Sequence, residues 1–273
     1  MKIKNLLSFL LIALLTISCS SRDDEPIVTV EYSPLVKRIN LGVFNPNAPS
    51  GDQFAYYFEY DSEEKLTKSI GGFIPLSGGT GYSGFFSNEI YTSLVYTNNM
   101  VTVEDFSSSS QFMVPKKSKY FKLNIASKIV EKEIPSQNIY STKKQFFYYK
   151  DGNLDEIITT LPNMPYYPPD DYIETYSEKF FYDASKNLVR TEYYELRNGI
   201  REGEKIIRTF GNFDNSYNPF KRFTLLDEYF YRSLSKNNFR TYKEEVTYDY
   251  GGTNTSTQSW TFNYDASGNI ILN

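Results

Sequence analysis

The chain has 273 residues, a formal net charge of −4, no histidine and one cysteine. The missing histidine excludes His-based triads, the commonest metal ligand and the usual general base near neutral pH. One cysteine allows no internal disulfide, and the mildly acidic balance without a long basic run does not point to nucleic acid.

At the start, Lys2 and Lys4 precede an apolar run from Leu6 to Ile17. The run is too short to span a bilayer and is placed like the core of a signal peptide. It ends in Thr16-Ile17-Ser18-Cys19, which resembles the bacterial lipobox, although Thr16 stands where that motif usually has Leu. The resemblance implies a signal peptide over 1–18 and lipid attachment at Cys19. Ser20-Ser21-Arg22-Asp23-Asp24-Glu25 follows within a tether over 19–30. Its acids resemble the export signal of surface-exposed lipoproteins in Bacteroidota, and a plain solvated linker would use the same residues. The expected address is the outer membrane, held by the lipid and facing the exterior.

Residues 31–273 are read as a single domain. With 25 Tyr and 21 Phe the composition favours strands, and no long stretch keeps a helical period. The clearest unit is the last. Trp260, Phe262 and Tyr264 alternate with Thr261 and Asn263, so the three aromatics share one face and Tyr264 is expected to pack; Asp265 can initiate a turn, Gly268 permits a positive φ, and Ile270 to Leu272 resume a strand. Taken in chain order, copies of this unit fall at Phe58-Glu59-Tyr60-Asp61, at Leu94-Val95-Tyr96 and at Phe121-Lys122-Leu123-Asn124. Others fall at Phe147-Tyr148-Tyr149, at Phe180-Phe181-Tyr182-Asp183 and at Phe213-Asp214. Glu64, Ser127, Lys186 and Tyr217 take the place of Gly268. The copies at Tyr96 and Tyr149 are shorter, with Asn98-Asn99 and Asp151-Gly152 in the turn. Seven hairpins predict an all-β, antiparallel meander of about fourteen or more strands, with one or two added between Lys205 and Tyr250. Their irregular spacing argues against a solenoid, and so many twisted strands must curl or close like a barrel.

The hairpins resemble YD repeats of the Rhs type. The chain from 31 to 273 is similar to a Bacteroidota surface lipoprotein family with YD-type hairpins, described as having a porin-like β fold. The resemblance rests on Cys19, on the pairs Tyr60-Asp61, Tyr182-Asp183 and Tyr264-Asp265, on Asn218-Pro219-Phe220, and on Ser235-Lys236-Asn237-Asn238. It implies the fold and the envelope address, and it carries over no catalytic residue. A membrane-spanning barrel is disfavoured because strands such as Arg240-Thr241-Tyr242-Lys243-Glu244-Glu245 are charged on both faces. Each Lys or Arg at the lipid midplane would cost about 2–4 kcal/mol.

Motifs for chemistry are sparse. Ser62-Glu63-Glu64-Lys65 and Ser141-Thr142-Lys143-Lys144 match Ser-x-x-Lys without a helix to hold them. Asp151-Gly152-Asn153-Leu154-Asp155 reads as a turn and not a calcium loop. Two segments interrupt the repeat: the Gly-rich Gly71 to Gly84, read as a mobile loop, and the Pro-rich Leu161 to Asp171. The latter holds Tyr166 and Tyr167 in position to stack on a sugar or anchor a protein. Trp260 reads as core. No cofactor or metal is expected, and a monomer with a glycan or protein partner is. The first functional reading is a non-catalytic binding or structural protein of the envelope. The alternatives are a glycan hydrolase using two facing carboxylates and a carrier of a small hydrophobic molecule inside the β shell.

Overall fold

The computed structural model describes residues 35–49, 51–78, 81–110, 115–167 and 171–273. The expected signal segment, Cys19 and the expected tether lie outside the described residues. Fourteen antiparallel strands form one sheet whose spatial order is the chain order. They are β1 (Arg38–Asn40), β2 (Ala55–Tyr60), β3 (Leu66–Gly78), β4 (Gly81–Thr97), β5 (Met100–Ser107), β6 (Ser118–Leu123) and β7 (Ile129–Ile134). The second half holds β8 (Lys143–Lys150), β9 (Asn153–Thr160), β10 (Glu174–Tyr182), β11 (Leu188–Arg197), β12 (Ile200–Gly211), β13 (Thr241–Thr247) and β14 (Thr253–Ser259). The sheet begins at β1 and ends at β14 without a ladder between them, so it is an open meander.

In a meander every second connection lies at the same end. The turns after β2, β4, β6, β8 and β10 share one end, and they are the hairpins expected at Tyr60, Tyr96, Leu123, Tyr149 and Tyr182. The side chain of Asp61 accepts from the amides of Glu63 and Lys65, both at 2.9 Å. Asn124 does the same for Ala126 and Lys128, both at 3.0 Å, and Asp183 for Asn187 at 2.8 Å. Glu64, Ser127 and Lys186 take φ values of 60°, 56° and 65°, so the position needs a left-handed backbone but tolerates a side chain.

A β-bulge recurs where the turn begins. The ladder shifts register at Glu59/Tyr60, Lys122/Leu123, Tyr148/Tyr149 and Phe181/Tyr182. Tyr60, Leu123, Tyr149 and Tyr182 then pair with Leu66, Ile129, Leu154 and Leu188, all four of which are buried. A bulge bends its strand and increases local twist, so four at one end of a sheet curl that end. Tyr60 and Tyr149 donate their hydroxyls to the carbonyls of Val36 (2.8 Å) and Ile129 (2.9 Å). Burial pushes the phenols of Tyr60, Tyr96 and Tyr149 up to about 12.

Several expectations need correction. Gly71 to Gly84 is not a loop: β3 and β4 pair through it from Lys68↔Ser93 to Gly78↔Gly81. The strong β propensity of Phe73, Ile74, Phe85 and Phe86 outweighs the glycines, and Gly71 marks a register shift with a φ of 110°. The final unit closes its turn as expected. Asp265 accepts from Ser267 and Asn269, both at 2.9 Å, and Gly268 has a φ of 81°. It is held by the single bridge Tyr264↔Ile270, and no strand pair forms. Tyr264 does not pack in the core but lies at the surface, its hydroxyl 2.9 Å from Asp214 Oδ2. Phe213-Asp214 opens no hairpin with Tyr217, Asn218 and Pro219. The chain leaves the sheet after Gly211 and rejoins it at Thr241. Asn198-Gly199, with φ values of 51° and 79°, makes the β11–β12 turn. An Asn-Gly pair between β-prone runs is the standard sequence signal for such a turn.

The core lies between the curled face and the segment that leaves it. Phe58, Leu94, Phe121, Phe147, Phe180 and Phe210 of the sheet pack with Phe220, Phe223, Leu226 and Tyr229 of the segment. Phe58 and Phe223 stack at 4.5 Å and 25°, a geometry worth about 0.5–1.5 kcal/mol beyond burial.

Candidate ligand cavity

The segment between β12 and β13 is an expanded copy of the repeated turn. At Asp61, Asn124, Asp183 and Asp265 the turn closes by a backbone bond from the Asx amide to the carbonyl four residues on. At Asp214 the same bond runs to Asn238, 3.0 Å away. Asp214 Oδ1 accepts from Ser216 at 3.2 Å, and where the fourth residue should donate, the amide of Asn238 does so at 3.1 Å. Phe239 then takes the buried place held elsewhere by Leu66, Ile129 and Leu188. An insertion thus begins inside a turn whose closing chemistry is kept.

The inserted chain folds back over the curled face as a plug. It contains 3-10 turns at Pro219–Phe223 and Asp227–Tyr229, followed by a short helix α1 (Phe230–Leu234). Asn218, fully buried, organises it. Its Oδ1 accepts from Phe220 at 2.9 Å, and its Nδ2 donates to the carbonyls of Arg232 (2.7 Å) and Ser235 (2.8 Å). Pro219 follows at the first helical position, where a missing N–H costs nothing. Ser235 Oγ accepts from Leu188 at 3.0 Å, tying the plug to β11. Asp227 binds Lys119 of β6 at 2.6 Å and Lys132 of β7 at 2.8 Å. Burial works to raise the Asp227 carboxyl, but the two ammonium groups outweigh it and hold the group below its usual range. At Lys132 burial dominates and lowers the ammonium.

Plug and sheet do not meet everywhere. Between them lies a partly open cavity of about 420 Å³, within the size range of small-molecule sites, about 300–1,000 Å³. Phe44 before β2, Tyr56 of β2 and Phe73 of β3 line one side, and Phe210 of β12, Tyr242 of β13 and Gln258 of β14 line another. Tyr229, Arg232, Phe239 and Trp260 complete the aromatic wall. Strands from both ends of the meander, β2 and β3 and then β12 to β14, therefore reach the same cavity, which is how far the sheet has curled.

Two charged side chains line it, and they differ. Arg232 is 6% exposed and takes no ion pair among the described residues. Its guanidinium lies 4.1 Å from the ring centre of Phe239, 4.4 Å from Trp260 and 4.8 Å from Phe44, with Phe262 and Phe220 slightly farther. Nη1 donates to the Phe239 carbonyl at 3.0 Å, and Nη2 is buried without an acceptor. Burial lowers the guanidinium to about 9 against the pull of Tyr229 and Asp214, which leaves it charged at neutral pH. Its balance comes from ring faces in place of a carboxylate. Glu228 instead borders the cavity as a solvent-exposed residue. Burial pushes the Tyr56 phenol up to about 12, and the Glu228 charge adds to it.

Of the residues singled out in the sequence, Trp260 joins the cavity as a half-buried wall, its Nε1 donating to the Phe44 carbonyl at 3.2 Å. Tyr166 and Tyr167 do not join it. They are 46% and 71% exposed on the β9–β10 connection, at the end of the sheet opposite the tyrosine hairpins. A hydrolase would need a second acid facing Glu228, and Glu228 is the one carboxylate among the described lining residues. Glu228, Tyr229 and Arg232 escape the repeat pattern because they sit inside the insertion. The signals for that insertion are Asn218-Pro219, a cap followed by a first-turn proline, and Asp227-Glu228 ahead of Arg232.

No family model and no curated protein matches the chain. Among solved structures, a porin-like protein from Bacteroides uniformis is 12% identical over 79% of each chain, with a TM-score of 0.44. A porin-like protein from Bacteroides vulgatus is 11% identical over 88% of this chain and 91% of its own, with a TM-score of 0.41.

Proposed function

We propose that this chain is a lipid-anchored protein of the bacterial outer membrane, facing the exterior, that binds a small, largely apolar molecule in its aromatic cavity without chemically changing it. The observation that carries the binding role is the cavity itself. A plug this well fixed by Asn218, Asp214 and Asp227 could fill the curled face, yet it leaves about 420 Å³ walled by rings. Aromatic walls with few polar groups suit an apolar ligand body. The address rests on the lipobox-like Thr16-Ile17-Ser18-Cys19 and the acids after it. Tyr166 and Tyr167, exposed on the Pro-rich connection, are proposed as a separate contact point for a glycan or protein partner.

Trp260 is the only tryptophan and lines the cavity, so its fluorescence reports occupancy. Titration with 4-phenylbutan-1-ol should shift that emission with saturation. Gln258→Phe, which places a ring into the same space from β14, should abolish the shift while leaving the fold intact. A shift that survives Gln258→Phe, or none in the parent, counts against the cavity as a binding site. For the address, Cys19→Ala should release the protein from the membrane fraction, and retention there would overturn the lipid anchor.

A further inference from the structure

We infer that the cavity's ligand is an apolar molecule ending in a carboxylate, which pairs with the Arg232 guanidinium in the cavity's inner wall. This rests on the reading of the cavity as a binding site and adds the chemistry of the occupant's polar end. The lining grades from outside to inside. Asn45, Glu228 and Gln258 are polar and exposed to solvent, whereas Phe210, Tyr229, Arg232 and Phe239 are buried. Arg232 is thus the charge on the inner side, and it is the one cation in the described lining. The rings nearest its guanidinium are Phe239, Trp260 and Phe44, at 4.1, 4.4 and 4.8 Å. All three also line the cavity, so the charge sits in the cavity wall.

Ring faces attract a guanidinium and offset part of the cost of taking it out of water. They do not replace the paired oxygen acceptors that its fork of donors fits best. Nη1 donates to the Phe239 carbonyl at 3.0 Å, but Nη2 is buried with no acceptor, a costly arrangement for a donor. No acid of the described chain fills that place. Asp214, whose charge reaches Arg232, spends its oxygens on Ser216, Asn238 and Tyr264. Glu228 stands in solvent at the cavity's edge, where water and salt screen it. A ligand carboxylate brings both things that are missing, a counter-charge and an oxygen for Nη2. An alcohol would supply the acceptor without the charge, and an amine would add a second positive charge to the wall. Nη2 lies under the rings, so the carboxylate meets it when a half-buried ring of the wall, Phe44 or Trp260, turns aside. The apolar body then lies along the remaining rings, Tyr56 and Phe73 among them.

The test compares probes of one shape, 4-phenylbutanoate, 4-phenylbutan-1-ol and 4-phenylbutylamine, by calorimetric titration of the parent protein and of Arg232→Met at neutral pH. The acid should bind the parent at least about tenfold tighter than the alcohol, as one charge-assisted contact provides, and the amine should bind weakest. Arg232→Met keeps a long side chain among the rings and removes the charge. In that variant the acid should lose its lead while alcohol binding persists, which also shows that the variant is folded. A side chain that only held the plug in place would change both probes alike. Should Arg232→Met fail to fold, the ranking in the parent decides, because Arg232 is the one cation in the described lining. Equal binding of acid and alcohol, an amine that binds tightest, or an acid preference that survives Arg232→Met overturns the carboxylate and leaves the cavity reading standing. If no probe binds, both fall together.

Discussion

The turns at Asp183 and Asp214 use one closing chemistry for different ends. At Asp183 the chain returns after four residues: the Asn187 amide donates to the Asp183 side chain, the Asp183 amide donates to the Asn187 carbonyl, and a hairpin is complete. At Asp214 the same two bonds are exchanged with Asn238, and everything between the two residues has become the plug. The first turn is exposed and local, whereas Asp214 is buried and also accepts from Ser216 Oγ (2.7 Å) and Tyr264 (2.9 Å). A turn closed by side-chain acceptors can thus be opened and filled without disturbing the strands on either side, because the anchoring residue does not depend on the length of chain it encloses. In this protein the opened turn supplies both the lid of the hydrophobic core and the walls of the cavity.

Removing the shared anchor from each kind of turn tests that contrast most severely. Asp214→Ala should cost about 3 kcal/mol, since it leaves several buried donors unpaired, whereas Asp61→Ala in an exposed hairpin should cost about 1 kcal/mol. Equal losses in chemical denaturation would mean that the expanded turn has no special standing. The docking of the plug onto β6 and β7 can be probed through pH. Asp227 ionises more readily in the fold than in the unfolded chain. Its contribution is therefore complete above the ordinary Asp value of about 4 and is lost as pH falls through the lower folded value. Asp227→Asn should be weaker than the parent by about 1 kcal/mol at neutral pH, a modest figure because the side chain is 53% exposed and screened. The two proteins should converge once the pH has fallen below that lowered value. A constant gap would show that Lys119 and Lys132 do not fasten the plug. The smallest effect is expected at the last turn. Gly268 has a φ of 81° with open space where a Cβ would stand, and the unit is held by one bridge. Gly268→Val should cost about 1 kcal/mol from backbone strain alone, read as a small drop in melting temperature, and a loss near that of Asp214→Ala would contradict the peripheral place of this unit.

How much could be read in advance varies along the chain. The five regular hairpins were legible to the residue, including Glu64, Ser127 and Lys186 at the left-handed position. Among the five is the tighter turn at Asp151-Gly152, with φ values of 49° and 81°. The Gly-rich stretch misled because glycine weakens a strand without forbidding it, and partners on β4 decided the matter. Tyr264 misled because its hydrogen bond goes to Asp214, fifty positions earlier.

The amino-acid sequence alone determined the hairpin ends and the all-β class, since the hairpins rest on contacts between residues about six apart. The plug and its cavity were decided only by tertiary structure. Asp214 had to meet Asn238, Phe58 had to meet Phe223, and the first strands had to curl round to the last before any space existed between them. Glu228 illustrates the difference. In the chain it is one acid among 33, and only the fold places it at the edge of a ring-walled cavity.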